Sequence, residues 1–303
     1  MQSSKLFPYL CASVAMIFWS LSFIWYKEVL VLYKPITLIL LRLVISCILL
    51  LVVTASMGWL QRVQRGDVKH FLLLAFFEPF LYFVGESHGI SLIPSTLAAV
   101  IISTIPVFTP LAAYYLLRER ITPMNLTGIV VSMAGVCLVV FHRGVPSSAE
   151  ANPWGIALMF LAVFSAIAYS ILIRKLTLKY NVFSIVTYQN TIGMVFFIPW
   201  FLTTDLSHFA GARPTWEVLR PLLYLGVFAS TAAFIAFVFA IKRLGLNRAI
   251  VFTNSIPVLT AIFAYFILAE EITPVKMVGI GVVVLGLFMS QLHVSRLRFP
   301  TAR

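Results

Sequence analysis

The chain has 303 residues, of which 61% are hydrophobic and 11% charged, with a formal net charge of +12. Globular domains run near half and a quarter for these two classes, and apolar runs of about 20 residues, each able to cross a hydrocarbon core of roughly 30 Å, recur along the whole chain. A soluble domain is excluded, and a polytopic all-α membrane protein is expected.

Span 1 is predicted at 7–29. It follows Lys5 but is too long for the apolar region of a signal peptide, so it is read as retained. It offers Trp19, Ser20, Ser22, Trp25 and Tyr26. Trp19 falls near the midplane, deeper than the usual aromatic belt, a position suited to lining a cavity. Span 2 (36–57) follows Lys34-Pro35 and carries Arg42 about two turns in from its outer end. A cation at that depth snorkels, pairs with a carboxylate, or holds an anionic group.

Span 3 (70–91) is the anomaly, because it holds Glu78, Tyr82 and Glu86 within apolar sequence. A charge near the bilayer centre costs about 2.5–3.5 kcal/mol on insertion scales. At about 100° per residue, a continuous helix would spread these three side chains over only about 80° of one face, in a stripe roughly 12 Å long. Two carboxylates so placed can exchange a proton or hold a cation, including a substrate ammonium; the alternative is a structural carboxylate bonded to a neighbouring helix. His88 points away from Glu78 near the span end and reads as a satisfied or interfacial histidine. Gly85-Glu86-Ser87-His88-Gly89 matches the G-x-S-x-G pattern, but a nucleophile elbow needs a strand-to-helix turn, which a membrane helix does not provide.

Span 4 (94–117) contains Pro106 near its middle and Pro110 one turn later, with Ser103 and Thr104 just ahead. A mid-helix proline frees a backbone carbonyl, which in hydrocarbon must be met by protein or cavity water. Span 5 (124–141) has Gly128 and Gly135 on one face, as close helix packing requires. Its Asn125-Leu126-Thr127 sequon lies at the predicted cytoplasmic edge, where glycosylation does not occur. Spans 6 (154–173) and 7 (183–204) follow; span 7 holds Gln189, 147 residues after Arg42, and Asn190. Span 8 (217–241) is followed by span 9 (247–268), with Asn254 just ahead of Pro257, and by span 10 (274–292), with Gly279 and Gly286.

The second set of spans repeats the first. Ile105-Pro106-Val107-Phe108-Thr109 returns 151 residues later as Ile256-Pro257-Val258-Leu259-Thr260, and the same shift carries Tyr114 onto Tyr265, Glu119 onto Glu270, Gly128 onto Gly279 and Gly135 onto Gly286. Two units are therefore expected, 1–150 and 151–303. Five spans per unit is an odd number, so the second enters the membrane from the opposite side. Paired interruptions at Pro106 and Pro257 in an inverted repeat point to a transport site. The acidic residues do not repeat, since Ala229 and Phe237 stand opposite Glu78 and Glu86. The scaffold is duplicated and the chemistry is one-sided.

The basic residues set the orientation. One face collects Lys5, Arg62, Arg65, Lys69, Arg118, Arg120, Arg174, Lys175, Lys179, Lys242, Arg243, Arg248, Arg296, Arg298 and Arg303; the other has Lys27, Lys34, Arg143, Arg213, Arg220 and Lys276. Both termini are therefore expected in the cytoplasm, and the net charge reflects topology and anionic lipid rather than nucleic-acid binding. Cys11, Cys47 and Cys137 lie in apolar segments without disulfide or metal spacing, so no metal and no cofactor is expected.

Several of these features carry a family resemblance. Pro35 followed by Arg42, Pro106 with Glu119 closing span 4, Gly128 and Gly135 in span 5, and the repeat set Pro257, Glu270, Gly279 and Gly286 resemble the EamA-type members of the drug/metabolite transporter superfamily over nearly the whole length. The resemblance implies a ten-helix inverted-repeat carrier with a central cavity lined mainly by spans 1, 3, 4, 6, 8 and 9. Relatives export amino acids and other small metabolites. Glu119 and Glu270 are read as structural groups at short turns.

The expectation is a secondary transporter rather than an enzyme, since no nucleophile–base or metal constellation falls inside the spans. Substrate or proton contacts are expected at Glu78, Tyr82, Glu86, Trp19, Arg42, Asn254 and Gln189, with helix breaks at Pro106, Pro110 and Pro257. Arg42 as the sole buried cation argues against polyanionic substrates. Export of an amino acid or related amphipathic solute is expected, with protons as a coupling ion; uptake, and a membrane interaction protein without transport, are the alternatives. The expected partners are a small-molecule substrate and membrane lipid, and a homodimer is compatible. Short loops suit a bacterial inner membrane.

Overall fold

The computed structural model describes residues 6–109, 123–141 and 152–291, and the regular structure among them is entirely helical. Seven of the described helices are long and apolar enough to cross a membrane: Phe7–Leu30, Pro35–Ser56, Arg65–Leu92, Pro153–Lys179, Val182–Thr204, Trp216–Leu244 and Arg248–Leu268. Three shorter apolar helices, Ser95–Thr109, Leu126–Leu138 and Pro274–Gly286, fall where spans 4, 5 and 10 are expected.

Proline and asparagine start many of these elements. Pro8, Pro35, Pro153 and Pro257 stand in the first turns of their helices, where a missing N–H costs nothing because it has no intrahelical partner. Asn152 and Asn181 cap Pro153–Lys179 (here α7) and Val182–Thr204 (here α8) through their side-chain oxygens, each satisfying an orphan N–H. In chain order the earlier elements are α1 (Phe7–Leu30), α2 (Pro35–Ser56), α3 (Val68–Ala75), α4 (Tyr82–Leu92), α5 (Ser95–Ile102) and α6 (Pro123–Phe141). The later ones are α9 (Leu206–Gly211), α10 (Trp216–Tyr224), α11 (Ala233–Leu244), α12 (Leu246–Ile250), α13 (Ile256–Leu268) and α14 (Pro274–Gln291).

Four expected spans are interrupted. Between α3 and α4, Phe76–Leu81 forms a wide π turn in which Glu78 leaves helical geometry, with φ −145° and ψ 116°. Pro79 is the cause, because the residue before a proline is pushed out of the α region into extended backbone. The continuous stripe expected for Glu78, Tyr82 and Glu86 is thereby corrected: Glu78 does not follow the 100° progression that relates Tyr82 to Glu86. Ser165 of α7 donates to the Phe77 carbonyl at 2.5 Å, meeting an acceptor at the break. A second π segment, Leu225–Ala232, separates α10 from α11. The 151-residue shift carries 76–81 onto 227–232, so the two openings coincide although the second contains no proline.

The prolines of spans 4 and 9 stand directly after breaks. α5 ends at Ile102, a turn occupies Ser103–Thr104, and helix resumes at Ile105, so Pro106 opens a new segment rather than kinking a continuous one. Pro257 likewise follows a 3-10 stretch, Val251–Ser255, and opens α13. Ser103, Thr104 and Thr253 donate to the carbonyls of Val100, Ile101 and Ile250 at these breaks. Pro110 and Glu119 lie outside the described residues.

Two packings tie the ends of the bundle. α2 and α8 are tied at both ends: Asp205, after α8, accepts from the Thr37 N–H and hydroxyl of α2 at 3.1 and 2.9 Å. At the opposite end the segment after α2 meets the start of α8, where the Gln61 N–H donates to Ser184 Oγ at 2.8 Å and Asn181 donates to the Trp59 carbonyl at 2.7 Å. α6 and α14 meet through glycine. A Cβ on Gly135 would stand 2.8 Å from the Gly279 carbonyl, and one on Gly286 would stand 2.7 Å from the Gly128 carbonyl.

Candidate functional site

The most polar part of the interior is built by α1, α2, α4, α8 and the second π segment. Arg42 is the one charged residue of α2, and its side chain is 2% exposed. A guanidinium removed from water must find partners, since stripping its hydration costs several kcal/mol. Arg42 finds four. Its Nη1 donates to the Tyr26 hydroxyl of α1 and stands 3.8 Å from Glu86 Oε2 of α4. Its Nε donates to Ser230 Oγ at 2.7 Å, and its guanidinium carbon lies 4.2 Å over the Phe83 ring, a cation–π contact strengthened by desolvation. The second Glu86 oxygen accepts from the Tyr82 hydroxyl at 3.0 Å.

The cluster continues toward α8. Asn190 donates to Ser46 Oγ at 2.8 Å and to the Ser230 carbonyl at 2.9 Å, while the Thr231 hydroxyl donates to Ser46 Oγ at 2.7 Å and also reaches the Gly226 carbonyl. The wide turn of the π segment is what turns Ser230 and Thr231 toward α2, since such turns displace side chains from the regular α register.

Glu78 is separate. It is 6% exposed, and among the described residues it makes no side-chain hydrogen bond or ion pair. Its neighbour Pro79 packs on α8 so tightly that a Cβ on Gly193 would overlap the Pro79 ring. One turn away on α8, Gln189 is fully buried; its oxygen accepts from the Tyr169 hydroxyl at 3.2 Å and its nitrogen has no partner among the described residues. The structure thus divides the two carboxylates of span 3. Glu86 stands 3.8 Å from Arg42, whereas among the described residues no cation lies within 4 Å of the Glu78 carboxylate.

The remaining expected residues sit apart from this cluster. Trp19 packs edge-on against Phe234 and Phe237 of α11, with ring centroids 5.4 and 4.9 Å away; Phe237 is the counterpart of Glu86. His88 bonds its own helix at the Val84 carbonyl and stacks on Trp200. Asn254 lines a groove of about 460 Å³ with Ile17, Phe252, Leu259, Val284 and Phe288, and neither amide atom has a partner among the described residues. Sequence reading did not single out Ser46, Ser230, Thr231, Tyr169 or Ser165. A signal existed for some of them: Ser46 lies one helical turn from Arg42, and Ser230-Thr231 is a hydroxyl pair set in an apolar span beside the counterpart of Glu78.

The chain matches the model of the EamA-like transporter family twice, at residues 6–141 and 153–292. It is similar to an uncharacterized transporter of Archaeoglobus fulgidus, with 27% identity over 90% of this chain and 94% of the relative. It is also similar to the uncharacterized transporter YetK of Bacillus subtilis, at 25% identity over 82% and 75% of the two chains. A probable terminal-alkyne amino-acid exporter of Streptantibioticus cattleyicolor is 23% identical over 82% of this chain and 81% of its own. A crystal structure at 15% identity superposes with a TM-score of 0.71 over 94% of this chain and 98% of that one, which shows a shared fold.

Proposed function

The chain belongs to the EamA-like transporter family and is a multi-pass membrane transporter, and from that premise we propose that it exports a small zwitterionic or amphipathic metabolite of the amino-acid type by alternating access. The architecture we propose is ten transmembrane helices in two inverted five-helix repeats, residues 1–150 and 151–303, with both termini cytoplasmic, in a bacterial inner membrane. The family model's double match, the coincident π segments and the ties between α2 and α8 at both ends support the repeat. The excess of Lys and Arg on one face supports the orientation.

The observation that carries the reading is a buried Glu78 with no direct partner among the described residues, next to an Arg42–Glu86 pair. An intramembrane carboxylate without a partner is costly unless it takes up a cation or a proton. In this proposal Glu78 receives the substrate ammonium or the coupling proton, Gln189 offers its free amide N–H to a substrate oxygen, and the Arg42 cluster holds the two halves in register. The amino-acid exporter among the relatives agrees with this substrate class.

The test is charge movement in proteoliposomes challenged with amino acids, amines and other small metabolites, with and without a pH gradient, followed by radiolabel counterflow. Compound-specific, saturable signals are expected for amino-acid-like solutes. Counterflow that is absent for every zwitterion and present for another class would overturn the substrate assignment.

A further inference from the structure

We propose that Glu270 is a latch between the two halves, closed when the cavity is shut at the end carrying the 269–273 turn and broken when that end opens. The inference rests on the transport reading above. Glu270 follows α13, and its carboxylate reaches across to the first turn of α5 in the other half. One oxygen accepts from the Ser95 N–H at 2.9 Å; the other accepts from the Thr96 N–H at 3.3 Å and the Thr96 hydroxyl at 2.8 Å. A carboxylate on orphan N–H groups at a helix start adds charge–dipole attraction to hydrogen bonding. Here the capping group comes from 174 residues away rather than from the helix's own N-terminus, so moving α13 away from α5 uncaps the helix.

The backbone that presents Glu270 is itself unusual. Ala269 is left-handed, with φ 53° and ψ 32°, a conformation uncommon for a residue with a Cβ. That turn brings the Glu270 N–H back to the Ala264 carbonyl at 3.1 Å and aims the side chain at α5. The local conformation is tolerated in a state where the carboxylate is engaged.

A second inter-half cap, Asp205 on Thr37, lies at the same end, and burial distinguishes the two. The capped residues are buried in both, Thr37, Ser95 and Thr96 alike, but Asp205 is itself only 4% exposed, so releasing that carboxylate would strand a charge out of reach of water. Glu270 is only partly buried, and its carboxylate meets solvent as soon as the contact parts. Asp205 is the permanent tie and Glu270 the reversible one.

Paired spin labels at Leu92→Cys, at the end of α4, and Glu271→Cys, on the α13–α14 turn, read the separation directly in a background where Cys11, Cys47 and Cys137 are alanine. In Glu270→Ala the long-distance population should grow about tenfold over the parent, the size of effect that losing a strong cap produces. Glu270→Gln should fall between the two, and Thr96→Val, which removes only the hydroxyl contact, should shift the distances less in the same direction. Thermal melting confirms that each variant is folded, and the two milder variants carry the test should Glu270→Ala fail to fold. Unchanged distance distributions in folded Glu270→Gln and Thr96→Val would overturn the latch. Counterflow on the same samples separates the two ideas: shifted distances with no transport by the parent preserve the latch and sink the transport reading, and transport with unmoved distances does the reverse.

Discussion

Arg42 Nε donates to Ser230 Oγ at 2.7 Å, joining residues 188 positions apart in sequence. The buried guanidinium lies in one match to the family model and is held by an opened turn in the other. The same guanidinium balances Glu86 and takes the Tyr26 hydroxyl, so one side chain sets the relative placement of α1, α2, α4 and the second π segment.

Removing one member of that pair should be worse than removing both. Arg42→Ala leaves Glu86 buried without its cation, a loss of about 3–5 kcal/mol. Arg42→Met with Glu86→Leu should recover a large part of this, measured as melting temperature in detergent through a double-mutant cycle. Additive losses would show that the two side chains do not interact.

Glu78→Gln should have a selective effect. The side chain has no hydrogen-bond partner among the described residues to lose, so the variant should fold and melt like the parent. Counterflow should persist at a reduced rate while the dependence of net transport on a pH gradient disappears. Transport by Glu78→Gln that kept its full pH-gradient dependence would remove Glu78 from coupling.

Glycine substitutions should split by what surrounds them. At Gly85 a Cβ would meet the backbone of Leu158 and Ala162 on α7, whereas at Gly281 it would meet nothing within 4 Å. Gly85→Ala should destabilise by about 1–3 kcal/mol through overpacking. Gly281→Ala should be neutral or gain up to about 1 kcal/mol in helix propensity. Melting temperatures of the two purified variants, side by side, check the contrast.

Asp205→Ala should cost about 0.5–2 kcal/mol, since it removes the cap from the Thr37 N–H and hydroxyl. The expected signature is a lower melting temperature with unchanged substrate preference. A switch in preference with full stability would place Asp205 in the substrate path instead.

The placement of the apolar helices was legible because a bilayer imposes a length and a composition on each span, and both are local properties of the chain. That α6 and α14 each carry a close-packing face was legible for a related reason, since Gly128, Gly135, Gly279 and Gly286 can be recognised by spacing alone; that the two faces meet each other was not. Arg42, Glu78 and Glu86 announced themselves as charges in apolar sequence. Their division of labour did not, because a regular-helix projection places Glu78 on one stripe with Glu86, whereas Pro79 takes Glu78 out of that register.

The sequence by itself determined that this is a membrane protein, where its apolar spans run, and which buried ionisable residues need an explanation. Only the tertiary structure decided that Glu86 pairs with Arg42 while Glu78 does not, that Ser230 is the cross-half partner, and that Glu270 caps a helix in the other half. The reason is physical. Span length and small-residue spacing act within one helix, but a hydrogen-bond partner is chosen by where helices cross and where their turns open, and neither is written within any single span.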